Sequence, residues 1–176
     1  DLINTANGNI LSSQNLVCGT ANVVATISEW LGDVVRNIGR TIARNALRDA
    51  RAEPLPNLPS HGLLISGVCA MHSSNARLFM KSRDLIEEAV RRSPKSANAR
   101  AWLGKWYILS IFKGISDATE RDGQLARDCT THALDLNPES SFAMTIDGFL
   151  HCNILRDFQT AEQRYFEALE LSPNES

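Results

Sequence analysis

One short pattern recurs along the 176-residue chain and limits what it can fold into. The segments "EEAVRRSPKSANARAWLGKW" (87–106) and "THALDLNPESSFAMTIDGFL" (131–150) align, and "FEALELSPNES" (166–176) matches their opening. In each, an alanine (Ala89, Ala133, Ala168) stands five residues before a proline (Pro94, Pro138, Pro173). Ten residues beyond the first two prolines come Gly104 and Gly148, and Gly67 has a related setting in "LLISGVCAM". Proline cannot continue a helical ladder, and it pushes the residue before it out of the α region. Ala133, Leu134 and Leu136 therefore belong to a helix that Asn137-Pro138 ends, and Ser140 or Ser141 caps the next one. The unit reads helix, turn, helix, proline stop. Alanine and glycine let two antiparallel helices approach closely. One such pair cannot bury both its faces, so neighbouring pairs stack into a solenoid. The expected fold class is all-α.

These residues resemble tetratricopeptide repeats, whose signature has Leu-Gly in the first helix, alanine in the second and a closing proline. The fullest copy carries Gly148, Ala161, Tyr165, Ala168 and Pro173 in that order. In the middle copy Trp102, Leu103, Gly104 and Tyr107 belong to the first helix, and Ala126, Ala133 and Pro138 to the second. The first copy has Gly67, Leu85, Ala89 and Pro94, with Ser82 in place of the usual alanine. Successive prolines lie 44 and then 35 residues apart, against about 34 in the regular unit. The surplus is placed in "FKGISDATERDG" (112–123), read as a long loop inside the middle pair. Three helix pairs result, over 61–95, 96–139 and 140–176.

Upstream, Val23, Val24, Ile27, Trp30, Leu31, Val34, Val35, Ile38 and Ile42 share one helical face, with Thr20 as the expected cap. This long amphipathic helix (20–50) runs into a proline-rich linker (51–60). Its apolar face is either a coiled-coil seam for homodimerisation or the lid that a stack needs over its first pair. In residues 1–19, Leu2-Ile3 and Ile10-Leu11 flank Asn7-Gly8, the strongest short hairpin signal. A lone hairpin is marginal in water, so it reads as the remnant of an upstream α/β module or as an edge needing a partner. The order hairpin, long helix, linker, repeats is similar to a junction in bacterial signalling proteins. There a TolB-like α/β module precedes tetratricopeptide repeats, with a class III adenylate cyclase domain or a winged-helix DNA-binding domain at the amino end. Leu2, Ile3, Gly8 and Leu11 match that module's closing "LIDxxTGxxLW" segment, and Ser12 stands where its aromatic usually lies.

Composition narrows the function. Apolar residues make up 43 % and charged residues 22 %, the balance of a globular chain rather than a disordered one. A net charge of −2 gives no attraction for nucleic acid or an anionic membrane. No apolar run approaches the roughly 18–20 residues that span a bilayer, and the expectation is that no signal peptide precedes the fold. Cys18, Cys69, Cys129 and Cys152 are scattered without a Cys-x-x-Cys pair, which points to free thiols in a reducing cytoplasm. A chain starting at Asp1 reads as processed, or as a piece of something longer. Cys129 and His132 lie one helical turn apart and His151-Cys152 fall in the next helix, a set that zinc accepts. Adjacent helical residues point about 100° apart, so core packing is the preferred reading. Asp117, Glu120 and Asp122 lack the alternating ligands of a calcium loop. Nucleophile elbow, phosphate loop and His-Glu-x-x-His are all missing. No enzyme, cofactor or metal is expected.

The resemblance implies protein–protein interaction through a concave groove lined by the first helix of each pair. Carried over residue by residue, the groove comprises Leu64, Val68, Met71 and His72, then Asn98, Ala101, Lys105, Ile108 and Leu109. Phe142, Thr145, Phe149, Cys152 and Asn153 complete it. With a single lysine it does not reproduce the clamp that holds a terminal carboxylate. An apolar groove suits a peptide or an amphipathic helix docking through i, i+3 and i+4 anchors, unless the chain's own 22–49 helix fills it. The expectation is a regulatory scaffold segment of a larger signalling protein.

Overall fold

A computed structural model describes residues 2–3, 8, 10–13, 23–52, 55 and 57–173, with backbone alone for residues 2, 11, 12 and 23–33. Asn7, Cys18 and Thr20, named above, lie outside the described residues, as do Pro54 and Pro56 of the linker and the side chains from Val23 to Leu31. Strands β1 (Leu2–Ile3) and β2 (Ile10–Ser12) pair antiparallel, Leu2 opposite Ser12 and Ile3 opposite Ile10. Everything else regular among the described residues is helical. The helices are α1 (Val23–Ala50), α2 (Ser60–Met71), α3 (Ala76–Arg92), α4 (Ala97–Phe112), α5 (Thr119–Leu136), α6 (Ser141–Leu150) and α7 (Phe158–Leu171). A π turn, His151–Leu155, extends α6. None of these helices is long and apolar enough to cross a membrane.

The turns between pairs are built alike. The carbonyls of Ala89, Ala133 and Ala168 accept from the N–H of Ser93, Asn137 and Ser172, each at 3.0 Å. Each acceptor is the alanine of the recurring pattern, and each donor is the residue just before the proline. Ser96 and Ser140 then cap the next helix, their hydroxyls accepting from Ala99 N–H at 3.3 Å and Ala143 N–H at 3.2 Å. Such caps satisfy donors that the first helical turn leaves without partners. Asn75 and Asp157 cap α3 and α7 in the same way.

Within a pair, the glycines set the spacing. A Cβ on Gly104 would lie 3.3 Å from the Ala126 carbonyl oxygen and 3.2 Å from Thr130 Cγ2. One on Gly148 would lie 3.2 Å from the Ala161 carbonyl oxygen and 3.0 Å from the Tyr165 ring. On Gly67 it would come within 2.6 Å of Ile86 Cγ1 and 3.2 Å of the Ser82 carbonyl oxygen. Each pair (α2 with α3, α4 with α5, α6 with α7) thus packs backbone close to backbone. Ala89, Ala126, Ala133, Ala161 and Ala168 are buried in these seams, while Pro94, Pro138 and Pro173 stay exposed at the turns.

The unequal proline spacings have different origins. The π turn accommodates the surplus of the last unit, since a π turn takes one residue more than an α turn; it ends at Arg156, held at φ 57. In the middle unit the loop is shorter than the sequence suggests, covering only 113–118, with Gly114 at φ 63. Residues from Thr119 onward lengthen α5 instead. Glu120 and Asp122 sit in its first turn, where the helix dipole favours negative charge.

The core has two clusters, bridged by half-buried Leu64. Ala50, Leu63, Ala70, Leu78, Leu85 and Ala89 join the end of α1 to the first pair. Met71, Phe79 and Ile86 carry the packing onward to Leu103, Trp106 and Ile108 of α4 and to Ile146 and Leu150 of α6. Phe79 stacks on Trp106 at 5.2 Å, and the Trp106 indole N–H donates to the Phe79 carbonyl at 3.0 Å. Asp147, 5 % exposed, ties the last three helices together. It accepts from Thr130 Oγ1 at 2.7 Å and from Arg164 Nε at 3.0 Å.

Gly67→Ala adds a methyl where Ile86 and the Ser82 carbonyl leave no room. Overpacking of this kind costs about 1–3 kcal/mol, against about 1 kcal/mol gained in helix propensity. The expected result is a lower urea midpoint with an unchanged slope. Gly39→Ala, where a Cβ meets nothing within 4 Å, is expected to hold or raise the midpoint, which separates packing from propensity.

Candidate functional site

The first helices of the three pairs, α2, α4 and α6, share a row of rings. His72, just past the end of α2, meets Trp102 of α4 edge-on at 6.1 Å between centroids. Trp102 in turn packs against Phe142 of α6 at 4.7 Å. Further along, Phe112 at the end of α4 faces Phe149 of α6 at 5.8 Å. Lys105 Nζ lies over the Trp102 ring at 4.8 Å, and Lys113 Nζ over the Phe79 ring at 5.1 Å. The face therefore combines aromatic surface with two ammonium groups.

Its electrostatics follow from that combination. Burial, then the charges of Lys105 and Lys113, hold the His72 imidazole below its ordinary value. Burial alone lowers the Lys105 ammonium. Among the described residues no carboxylate lies within ion-pair distance of Lys105 Nζ. A half-desolvated cation on an aromatic face gains from the ring quadrupole, but less than a paired carboxylate supplies.

The residues inferred for the groove divide into two groups. His72, Asn98 and Thr145 are exposed, and Leu64, Val68, Lys105, Leu109, Phe142, Phe149, Cys152 and Asn153 are half-buried, so these eleven are reachable. Met71, Ala101 and Ile108 are 1 % exposed or less and belong to the core. The groove reading does not hold for these three: they pack between pairs instead of facing outward. Two side chains that do shape the face were not among those inferred, Trp102 and Phe112. The sequence places Trp102 in the first helix of the middle copy without a place in the groove. Phe112 lies three residues after Leu109, a spacing that would have placed it on the same stripe.

At the α6–α7 end, Lys105, Phe142, Thr145, Ile146, Tyr165 and Leu169 border an open cleft of about 460 Å³. Leu169 is 46 % exposed there.

The other chemical groups have structural surroundings. Burial pushes the Cys129 thiol up to about 11, so it stays a thiol at neutral pH. His151 Nδ1 lies 3.3 Å from Asp157 Oδ2, beside the Asp157 cap of α7. Asp122 accepts from the Ser110 hydroxyl at 3.3 Å. Among the described residues, no three His, Cys, Asp or Glu side chains gather where one metal ion would reach them.

No family model matches the sequence, and no curated protein matches it.

A histidine titration tests the face directly. The folded state disfavours His72 protonation, so its stabilising share is full above about pH 6.5, the ordinary histidine value, and falls away as pH drops through the lower folded value. The His72 ring signals in NMR are expected to titrate below that ordinary value, and Lys113→Ala is expected to move the midpoint upward. An unchanged midpoint would mean that Lys113 does not act on His72.

Proposed function

We propose that the chain is a non-catalytic interaction segment that holds a peptide or helix across the face of α2, α4 and α6. In this reading the helix pairs form a tetratricopeptide-like solenoid and that face is its concave side. The segment serves a larger bacterial signalling protein, cytoplasmic, with a class III adenylate cyclase or winged-helix output. The β1–β2 pair is read as the close of an upstream TolB-like module. The observation that carries the binding role is the ring row His72–Trp102–Phe142, which spans three helices and remains partly open to solvent. Aromatic groups with a cation beside them are typical anchors for partner chains. The three matching alanine–carbonyl turns support the repeat reading.

Peptides selected from helical and extended libraries on the immobilised chain are expected to shift the Trp102 indole N–H signal in NMR. The signal of buried Trp106 should stay in place. Val68→Glu is expected to weaken these peptides at least tenfold without loss of helicity. Selection of no peptide, or shifts confined to the outward sides of α3, α5 and α7, would overturn the assignment.

A second reading, homodimerisation through α1, has its own observation. α1 has 28 residues and α2 has 12, about 42 Å against 18 Å at 1.5 Å per residue. Its last turns pack on the first pair through Ala46, Leu47 and Ala50, whereas Val35 and Ile42 are 68 % and 41 % exposed. A dimer in sedimentation equilibrium that Val35→Glu with Ile42→Glu converts to a folded monomer would establish this reading. A monomeric starting chain would remove it.

A further inference from the structure

α6 lies in the groove between α4 and α5 in a definite way. Phe142 packs on Trp102, Asp147 accepts from Thr130, and Ala143, Ile146 and Leu150 are buried beneath it. Counting from each unit's glycine and proline, Trp102, Thr130 and Leu134 correspond to Ile146, Tyr165 and Leu169 one unit later. In the middle unit these positions are covered by α6. In the last unit they line the open 460 Å³ cleft between α6 and α7. The cleft has the same helical walls as a groove that the chain itself fills with a helix. Lys105 reaches it from α4 and supplies a cation with no carboxylate beside it among the described residues.

We propose that this cleft seats an amphipathic helix of a partner protein, laid as α6 is laid on the preceding pair, with an acidic side chain meeting Lys105. The spacing that α6 uses defines the partner's apolar stripe: Phe142, Ala143, Ile146 and Leu150, which is i, i+1, i+4 and i+8. Helix-in-groove recognition reads such anchors. A carboxylate on the border of the stripe satisfies the half-desolvated ammonium, where charge complementarity sets orientation and rejects basic competitors. This rests on the reading of the chain as an interaction segment and narrows it to one end of the face and one partner chemistry.

The probe is a displayed library of 18-residue helix-forming peptides, with winners measured by fluorescence anisotropy. Winners are expected to carry the i, i+1, i+4, i+8 stripe and a flanking Asp or Glu. They should bind at least tenfold more weakly to Leu169→Glu, an exposed position, and to Thr145→Arg, which crowds the cleft from a second side. Lys105→Glu should cost at least fivefold, and a peptide with Lys in place of its acid should recover that loss. Winners with no acidic bias, or with no recovery in the charge swap, would overturn the proposal. So would winners indifferent to Leu169→Glu yet weakened by Val68→Glu, though these would leave the wider interaction reading standing. Failure to select any peptide would overturn both. Should the free chain sediment as a dimer that Leu169→Glu makes monomeric, the occupant is a second copy and the partner helix is wrong.

Discussion

The architecture depends on how closely two helices lie within each pair. At Gly67 a methyl group would come within 2.6 Å of Ile86 Cγ1, and at Gly104 and Gly148 it would press on its neighbours at 3.0–3.3 Å. Opposite each glycine is a small residue whose carbonyl faces the gap: Ser82, Ala126 and Ala161. Interiors pack as densely as organic crystals, so this contact fixes the tilt and depth of the pair. From it follows which side chains on the first helix are left for the next pair and which face outward. Larger residues at these three points would move the helices apart and shift every contact between pairs.

The outward face inherits its chemistry from that arrangement. Trp102 of α4 lies between His72 and Phe142. Lys105 is held over the indole with its charge only partly in water. The second layer of control is polar. Asp147, buried beneath the face, joins α5, α6 and α7 through Thr130 and Arg164. A buried charge left without partners is costly, so this group resists any rearrangement of the last pair. Aromatic surface set on a fixed frame loses little entropy when a partner arrives.

Much of the frame was legible because punctuation residues have few alternatives. The stops at Pro94 and Pro138, the serine cap at Ser140 and the small residues Ala89, Ala133 and Gly104 each have a direct physical meaning in sequence. Periodicity identifies an apolar stripe, but it does not tell how far the neighbouring pair spreads over it. Met71, Ala101 and Ile108 were assigned outward for that reason and lie inside. Trp102, which the repeat pattern places in the first helix without saying which way it faces, is partly open. The loop at 112–123 illustrates a different limit. Glu120, Arg121 and Asp122 read equally as loop or as a charged first turn, and the extra turn of α5, which has no side-chain cap at Ala118, is favoured by the helix dipole rather than by any apolar signal. The π turn has no sequence signature beyond one surplus residue.

The main contacts run between successive helices and from one pair to the next, so little of the fold waits on residues far apart in sequence. Chains dominated by local contacts form quickly, because few long loops must close before contacts reward the loss of entropy. The same economy acts under load. Each pair has its own seam and its own hydrogen-bonded turn, and an end can open without disturbing the middle. α7 has a neighbour on one side, with Phe158 and Phe166 exposed on it, whereas α4 is enclosed on both. Pulled or heated, such a chain behaves like a zip with a loose final tooth, and its resistance is graded along its length.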